Sequence, residues 1–129
     1  MLVDTHVWLW MHGSPERLGP LATALLRDPG TPLHVSAASA WELAIKASIG
    51  KLQLGQPVAT WWRTRLASMQ AVEIAVTGEH AAAVEALPPI HKDPFDRLLV
   101  VQANLAGLPL MTADDAVLAY PGVFVDARL

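Results

Sequence analysis

Two carboxylates of this 129-residue chain follow short apolar runs that read as β-strands. Asp4 comes directly after Leu2-Val3, and Asp114 comes two residues after the end of Leu110-Met111-Thr112. In parallel α/β sheets, ligands bind beyond the carboxyl ends of the strands. Each aspartate taken alone is equally suited to be the N-cap of a following helix. The pair together indicates a ligand site at one edge of a sheet.

A third acid, Glu42, lies in a helical segment that is apolar around most of its circumference. At about 100° per residue, Glu42 falls close to the stripe formed by Ala38, Ile45 and Ile49. An acid on that side of a helix needs a partner. The structural alternative is an i,i+4 ion pair with Lys46, which would contribute roughly 0.2 to 0.5 kcal/mol.

A fourth acid, Asp96, lies near the start of a strongly apolar helix. Proline favours the first helical position, so Pro94 predicts that Asp93 is the N-cap and has a structural role. Asp96 then takes the third position, where a capping-box acid is common. The helical period places Asp96 beside Ala103, at the boundary of the core. Burying a carboxylate there costs several kcal/mol unless it is paired or binds a metal.

Acids in these positions have the chemistry of a hard-cation site. Magnesium and manganese ions take carboxylate oxygens, keep several waters and coordinate substrate phosphates. In phosphodiester hydrolysis such a metal positions and activates a water, and the hydroxyls of Thr5 and Thr112 could orient an acid or water beside it. The candidate metal-binding and catalytic residues are Asp4, Glu42, Asp96 and Asp114.

The other polar residues give no comparable pattern. The five histidines contain no His-Glu-x-x-His arrangement and are interpreted as local hydrogen-bonding residues. His91 and Lys92 could contact an RNA phosphate, although a solvated loop is the favoured interpretation. The same phosphate-binding role is open to Lys46, Lys51, Arg63, Arg65 and Arg97.

The elements that position these acids alternate between short strands and helices. Strands are predicted at residues 2–3, 33–35, 71–76, 110–112 and 123–125. Helices are predicted after residue 5 and over residues 15–26, 36–49, 58–69, 78–87 and 93–106. This alternation predicts an α/β fold with a mainly parallel central sheet flanked by helices. We expect one domain over residues 1–129.

Composition limits the class of protein. The chain is 53% hydrophobic, yet no apolar run approaches the length of a membrane span. No secretory signal is visible at the start and there is no cysteine, so a cytoplasmic location is expected. A net charge of −3 is unusual for a nucleic-acid binder, but acids gathered around a cation would account for it.

Taken in order, four segments of the chain resemble the PIN-domain family, and most of all the VapC-type toxins of bacterial toxin-antitoxin modules. The segments are LVDTH at residues 2–6, SAWEL at 39–43, HKDPFDRLL at 91–99 and TAD at 112–114. The resemblance implies a PIN-like fold, a metal-dependent endoribonuclease using Mg²⁺ or Mn²⁺, and an acidic quartet at Asp4, Glu42, Asp96 and Asp114. It also implies an RNA substrate and a cognate antitoxin protein.

Partner surfaces are expected to involve tryptophan. Most of the five tryptophans should be core, but one or two could form an exposed patch for an antitoxin helix or for the second subunit of a homodimer.

The chemistry of the side chains does not distinguish Asp114 from Asp115 as the site residue. Asp114 is preferred because it lies two residues after the threonine, as in the family.

Two alternative functions share features with this sequence. A receiver-like metal-binding signalling domain would need an acid pair after the first strand and a late lysine, whereas Asp4 stands alone and no lysine follows Lys92. A PIN-like nuclease acting on DNA is the nearer alternative. The short chain, without added DNA-clamping insertions, favours RNA.

Overall fold

The strands of the central sheet are only two or three residues long and all pair in parallel. The computed structural model describes residues 1–129. The strands are β1 (Leu2–Val3), β2 (His34–Ser36), β3 (Val72–Ile74), β4 (Leu110–Thr112) and β5 (Phe124–Asp126), in the order β3-β2-β1-β4-β5. The predicted α/β fold with a parallel sheet is confirmed, and each predicted strand is present with its ends shifted by no more than a few residues.

The strand order creates a crevice at the centre of the sheet. From β1 the chain proceeds outward on one side through β2 to β3, and it then continues on the other side with β4 and β5. Leu2 therefore pairs with His34 of β2 and with Leu110 of β4. The connections after β1 and β4 leave the sheet in opposite directions, and such a switch point is where open α/β sheets bind ligands.

The central strands are buried on both faces because side chains alternate along a strand. Leu2 and Leu110 belong to one apolar cluster, while Val3 and Met111 belong to the other. All four are fully buried. The site residues that follow these strands are consequently carried by elements that are buried on both faces.

Seven helices surround the sheet. They are α1 (Thr5–Gly13), α2 (Pro20–Arg27), α3 (Ala37–Ser48), α4 (Val58–Met69), α5 (Gly78–Ala83), α6 (Pro94–Ala106) and α7 (Asp115–Leu118), with single 3₁₀ turns at Pro15–Arg17 and Val84–Ala86. The helix predicted over residues 36–49 is present as α3 and is capped at both ends: the Ser36 hydroxyl accepts from the Ala38 N–H at 3.0 Å, and Gly50 follows with a φ of 76°. None of these helices combines the length and the apolar character needed to cross a membrane.

Two helix predictions were wrong in extent. The helix expected over residues 15–26 is a 3₁₀ turn followed by α2, with an extended break at Leu18 and Gly19. Proline disfavours helical backbone at the residue before it, and Pro20 therefore forces the break. The helix expected over residues 78–87 tightens into a 3₁₀ turn after Ala83.

The burial of α3 also differs from the prediction. Its buried side is formed by Ala38, Ser39, Glu42 and Leu43. Ile45 and Ile49 were expected beside Glu42 on the buried stripe, but they are 37% and 58% exposed. The second half of the helix leaves the cover of the sheet, so its apolar residues face outward.

The break before α2 brings the last residues of the chain onto the start of that helix. The Leu129 carbonyl oxygen accepts from the N–H groups of Leu21 at 2.8 Å and Ala22 at 3.1 Å, and the Gly19 N–H donates to the Ala127 carbonyl at 2.9 Å. A Cβ on Gly19 would lie 2.2 Å from the Leu129 carbonyl carbon.

Replacing Gly19 with alanine should therefore destabilise the protein. Overpacking of this kind costs about 1 to 3 kcal/mol, because the backbone must move away from the new methyl group. Urea denaturation followed by circular dichroism would measure the loss. The control is Gly13→Ala, where no atom lies within 4 Å of the added Cβ. Equal stability of the two variants would show that the contact with Leu129 does not constrain the fold.

Candidate metal centre

Asp4 is both a helix cap and a buried member of the crevice. It follows β1, caps α1 by accepting from the Val7 N–H at 2.8 Å through Oδ1, and is 4% exposed. Its other oxygen accepts from the Thr112 hydroxyl. Burial raises the pKa of Asp4, and the nearby Glu42 carboxylate adds to the rise, against the lowering by these hydrogen bonds and by His6. The two interpretations of Asp4, cap and site residue, are thus compatible.

Thr112 connects the ends of β1 and β4. Its hydroxyl donates to Asp4 and accepts from the Asp114 N–H at 3.1 Å. Thr112 is thus a strand residue whose hydroxyl also orients an acid, and the two interpretations open to it are compatible. Thr5 has a different role, because its hydroxyl donates to the Ser39 hydroxyl at 2.8 Å and braces α1 against α3.

Glu42 is 5% exposed and has one oxygen without a partner. Its Oε2 lies 3.0 Å from Lys46 Nζ, which is the i,i+4 pair foreseen from the sequence. Its Oε1 is buried and accepts no hydrogen bond. An orphaned buried carboxylate oxygen is costly, and a cation ligated at that atom would remove the cost.

Asp96 lies on the first turn of α6, which is capped by Asp93 as predicted. Asp93 Oδ1 accepts from the N–H groups of Phe95 at 2.8 Å and Asp96 at 3.3 Å. The Asp96 side chain is 12% exposed. Burial, together with the charges of Asp93, Asp4 and Glu42 and against the lowering by His91, raises the pKa of Asp96 to about 7. Three other carboxylates therefore act on this one group.

Asp114 and Asp115 point in different directions. Asp114 caps α7 through Oδ1, which accepts from the N–H groups of Ala116 at 2.8 Å and Val117 at 3.4 Å, and its Oδ2 faces the crevice. The Asp115 side chain is 84% exposed and pairs with Arg128 at 2.7 Å. The geometry favours Asp114 over Asp115 as the site residue.

His91 is the site residue that the sequence interpretation missed. Its Nε2 lies 3.0 Å from Asp96 Oδ2 and 3.2 Å from Asp114 Oδ2, and its side chain is 22% exposed, so the favoured interpretation of His91 as a solvated loop residue is wrong. The potential ligand atoms of His91, Asp96 and Asp114 all lie within 4.8 Å of one another. Only its position five residues before Asp96 could have pointed to it, and that spacing has no fixed geometry in a loop.

The predicted quartet is only partly gathered. Asp96 and Asp114 meet at His91, while Asp4 and Asp114 line one open cleft together with His6. Asp4 and Glu42 are not members of the tight trio, because the oxygens of Asp4 are engaged by Thr112 and Val7 and one oxygen of Glu42 is held by Lys46. The donor set of carboxylate oxygens, one of them orphaned, nevertheless fits a hard divalent cation.

Arg97 does not have the phosphate-binding role left open for it. Its guanidinium donates to the carbonyl oxygens of Val84 at 3.1 Å and Pro88 at 3.0 Å, to that of His91 at 3.4 Å and to the Tyr120 hydroxyl at 3.1 Å. These contacts use the planar fork of donors that distinguishes arginine from lysine. Arg97 fastens the segment before α6 onto the body of the protein.

Comparison with known proteins gives two matches. The PIN domain family matches residues 1–122 of the chain. Ribonuclease VapC22 of Mycobacterium tuberculosis is 34% identical over 115 residues, which are 88% of this chain and 86% of that protein.

The raised pKa of Asp96 predicts how the stability of the metal-free protein changes with pH. Between about pH 4 and pH 7 the folded protein holds a proton that the unfolded chain releases, so this group makes the protein less stable as the pH rises through that window. Asp96→Asn removes the effect. Urea denaturation in chelator should show the variant gaining stability relative to wild type from about pH 4 to about pH 7, with no further gain at higher pH.

A matched control for this measurement is Glu16→Gln, which removes an exposed carboxylate in the 3₁₀ turn before α2. The stability difference between Glu16→Gln and wild type should not follow the same trend. If the Asp96→Asn difference is flat across the pH range, the side chain does not carry a perturbed proton.

Proposed function

Because the chain belongs to the PIN domain family, we propose that it is a divalent-metal-dependent endoribonuclease and the toxin of a toxin-antitoxin module. The structural observation that carries the proposal is the pair of buried carboxylates of Asp4 and Glu42, with Glu42 Oε1 unpartnered, near the less buried Asp96 and Asp114. Such a set is stable only with a cation or with protons. Phosphodiester hydrolysis is the chemistry that a hard cation in an acidic crevice serves.

The residues proposed to hold the metal and to act in catalysis are Asp4, Glu42, Asp96 and Asp114. A bound Mg²⁺ or Mn²⁺ would polarise a phosphate oxygen and lower the pKa of a water molecule. The chain orients its own carboxylates for this purpose: the Thr112 hydroxyl and the Val7 N–H fix Asp4, and Lys46 fixes Glu42. A carboxylate not engaged by the metal would orient the attacking water and accept its proton.

RNA is the proposed substrate, and a cognate antitoxin is the proposed partner. The name of the similar mycobacterial protein, a ribonuclease, supports RNA over DNA. The family match argues against a receiver domain, and so does the strand order, since the flavodoxin-like order is 2-1-3-4-5. A single domain over residues 1–129 and a cytoplasmic location complete the proposal, the latter supported by the absence of cysteine.

Nuclease activity should depend on the metal and on the crevice acids. Purified wild type, incubated with total RNA and with single-stranded DNA, should cleave the RNA in Mn²⁺ or Mg²⁺ and should be inactive in chelator. Asp4→Asn, Glu42→Gln and Asp96→Asn should each reduce the cleavage rate by about a hundredfold or more, because each removes a charge that holds the metal or the water.

The matched control is Asp115→Asn, a substitution of the same type at the exposed neighbour of Asp114. It should retain wild-type cleavage. Wild-type protein that cuts neither nucleic acid under any metal condition would refute the proposed activity, and cleavage of DNA alone would establish the alternative substrate.

The structure also offers a surface for the proposed homodimer. Trp41, Ile45 and Ile49 lie on one side of α3 and are 62%, 37% and 58% exposed; we call them the α3 face. The other tryptophans are buried or partly buried, as expected for core residues. Exposed apolar side chains grouped on one helix mark a protein contact, and two-fold homodimers are the commonest oligomers. We infer that the α3 face contacts a second copy of the chain.

Light scattering coupled to size exclusion should accordingly give the mass of a dimer for wild type. Trp41→Glu combined with Ile45→Glu should give the mass of a monomer, because the interface would have to bury two charges. Leu21→Glu, at a 54% exposed position on α2, is the control that should remain dimeric. A monomeric wild type would contradict the inference, and loss of antitoxin binding without a change in mass would assign the face to the antitoxin.

A further inference from the structure

The imidazole of His91 occupies the space between two of the proposed metal ligands. Its Nε2 is 3.0 Å from Asp96 Oδ2 and 3.2 Å from Asp114 Oδ2. A magnesium ion lies about 2.1 Å from each oxygen that binds it. An ion bound to both of these oxygens on the side that faces the ring would meet the Nε2–H group, because the three atoms lie within 4.8 Å of one another.

The hydrogen bond on the other side of the ring determines which nitrogen carries the proton. The Asp93 N–H donates to His91 Nδ1 at 3.3 Å, so Nδ1 acts as an acceptor and the proton resides on Nε2. Nε2 therefore points an N–H donor at the carboxylates and has no lone pair to offer a metal. In this arrangement His91 satisfies Asp96 and Asp114 in place of a cation.

The backbone of His91 is fixed while its ring has a route to solvent. The His91 N–H donates to the Tyr120 hydroxyl at 2.8 Å, and its carbonyl accepts from Arg97 at 3.4 Å. The side chain is 22% exposed. Because the backbone is held and the ring borders solvent, we expect displacement to occur by rotation about the side-chain bonds, which would also break the contact of Nδ1 with the Asp93 N–H.

We propose that His91 is a built-in competitor of the metal: it bridges Asp96 and Asp114 in the metal-free protein and is displaced when the cation binds. This inference rests on the metal site proposed above. The bridge keeps the carboxylates close together without a cation, since their mutual repulsion is offset by a shared donor. It also lowers the affinity for the metal, because the ion must break both contacts.

Removing the donor should consequently tighten metal binding. Calorimetric titration of the full chain with Mn²⁺ should show that His91→Leu binds about tenfold more tightly than wild type, as expected for the loss of one competing charge-assisted hydrogen bond. The thermal midpoint of His91→Leu in chelator should be lower than that of wild type, and its rise on adding Mn²⁺ should be larger.

Lys92→Ala is the matched control, because it removes a positive charge from the same loop at an exposed residue. Its affinity for Mn²⁺ should stay within about twofold of wild type, since long-range charge effects at the surface are screened. A gain equal to that of His91→Leu would attribute the effect to charge alone and would overturn the proposal.

Nitrogen-15 spectra of the imidazole rings test the same point in unaltered protein. Saturating Mg²⁺ should leave the proton on His91 Nε2 and end its hydrogen bonds to the carboxylates. Loss of that proton on metal binding, or weaker Mn²⁺ binding by His91→Leu, would show that His91 is a metal ligand. Either result would overturn the proposal that His91 competes with the metal, and would leave the proposed metal site intact. Wild type that binds no Mn²⁺ would overturn the proposed metal site as well.

Discussion

Mutual repulsion among carboxylates in a crevice of low polarity is the constraint on which the rest of the site depends. Asp4 and Glu42 are almost completely buried, and their charges act together on Asp96. Each neighbouring polar group offsets part of the repulsion. Lys46 pairs with Glu42, the Thr112 hydroxyl donates to Asp4, and helix amides engage Asp4 and Asp114. The negative charge that these groups leave uncompensated, including the unpartnered Oε1 of Glu42, can be neutralised by a bound cation.

The sheet makes this crowding possible by its rigidity. Strands of two or three residues would be marginal alone, but β1 and β4 are buried on both faces and hydrogen-bonded on both sides. Their carboxyl ends deliver Asp4 and Asp114 to adjacent positions, and Thr112 ties the two together. The aspartates also begin α1 and α7, so the geometry of the site and the starts of two helices are set by the same residues.

Arg97 has a structural role, which is to hold the segment before α6 in place. Arg97 is one residue from Asp96, yet it points away from the crevice and binds three carbonyl oxygens and a hydroxyl of the surrounding loops. Through Tyr120 and the His91 carbonyl, this clamp fixes the position from which the His91 ring reaches Asp96 and Asp114. Arg97, the last residue of the DPFDR segment at residues 93–97, thereby positions His91, which precedes that segment.

Much of this architecture could be predicted from the sequence. Alternating apolar runs and capping residues located the strands and most helix ends, because those features are local. Ser36 and Asp93 cap the starts of α3 and α6, and Gly107 caps the end of α6, each through contacts with residues close to it in sequence. The break before Pro20 has a local cause and was overlooked, whereas the packing of Leu129 on Gly19 could not be foreseen because Leu129 is remote in sequence. The exposure of Ile45 and Ile49 was missed because helical period gives the side of a helix, but not how far its neighbours extend.

The candidate site divides in the same way. The types and order of Asp4, Glu42, Asp96 and Asp114 were evident in the sequence, since acids among apolar residues are costly and the four segments resemble one family. The choice of Asp114 over Asp115, the free oxygen of Glu42 and the bridge formed by His91 depend on side-chain directions across β1, α3, α6 and α7. Only the packing of those elements fixes such directions, because none of the contacts is local to a single segment.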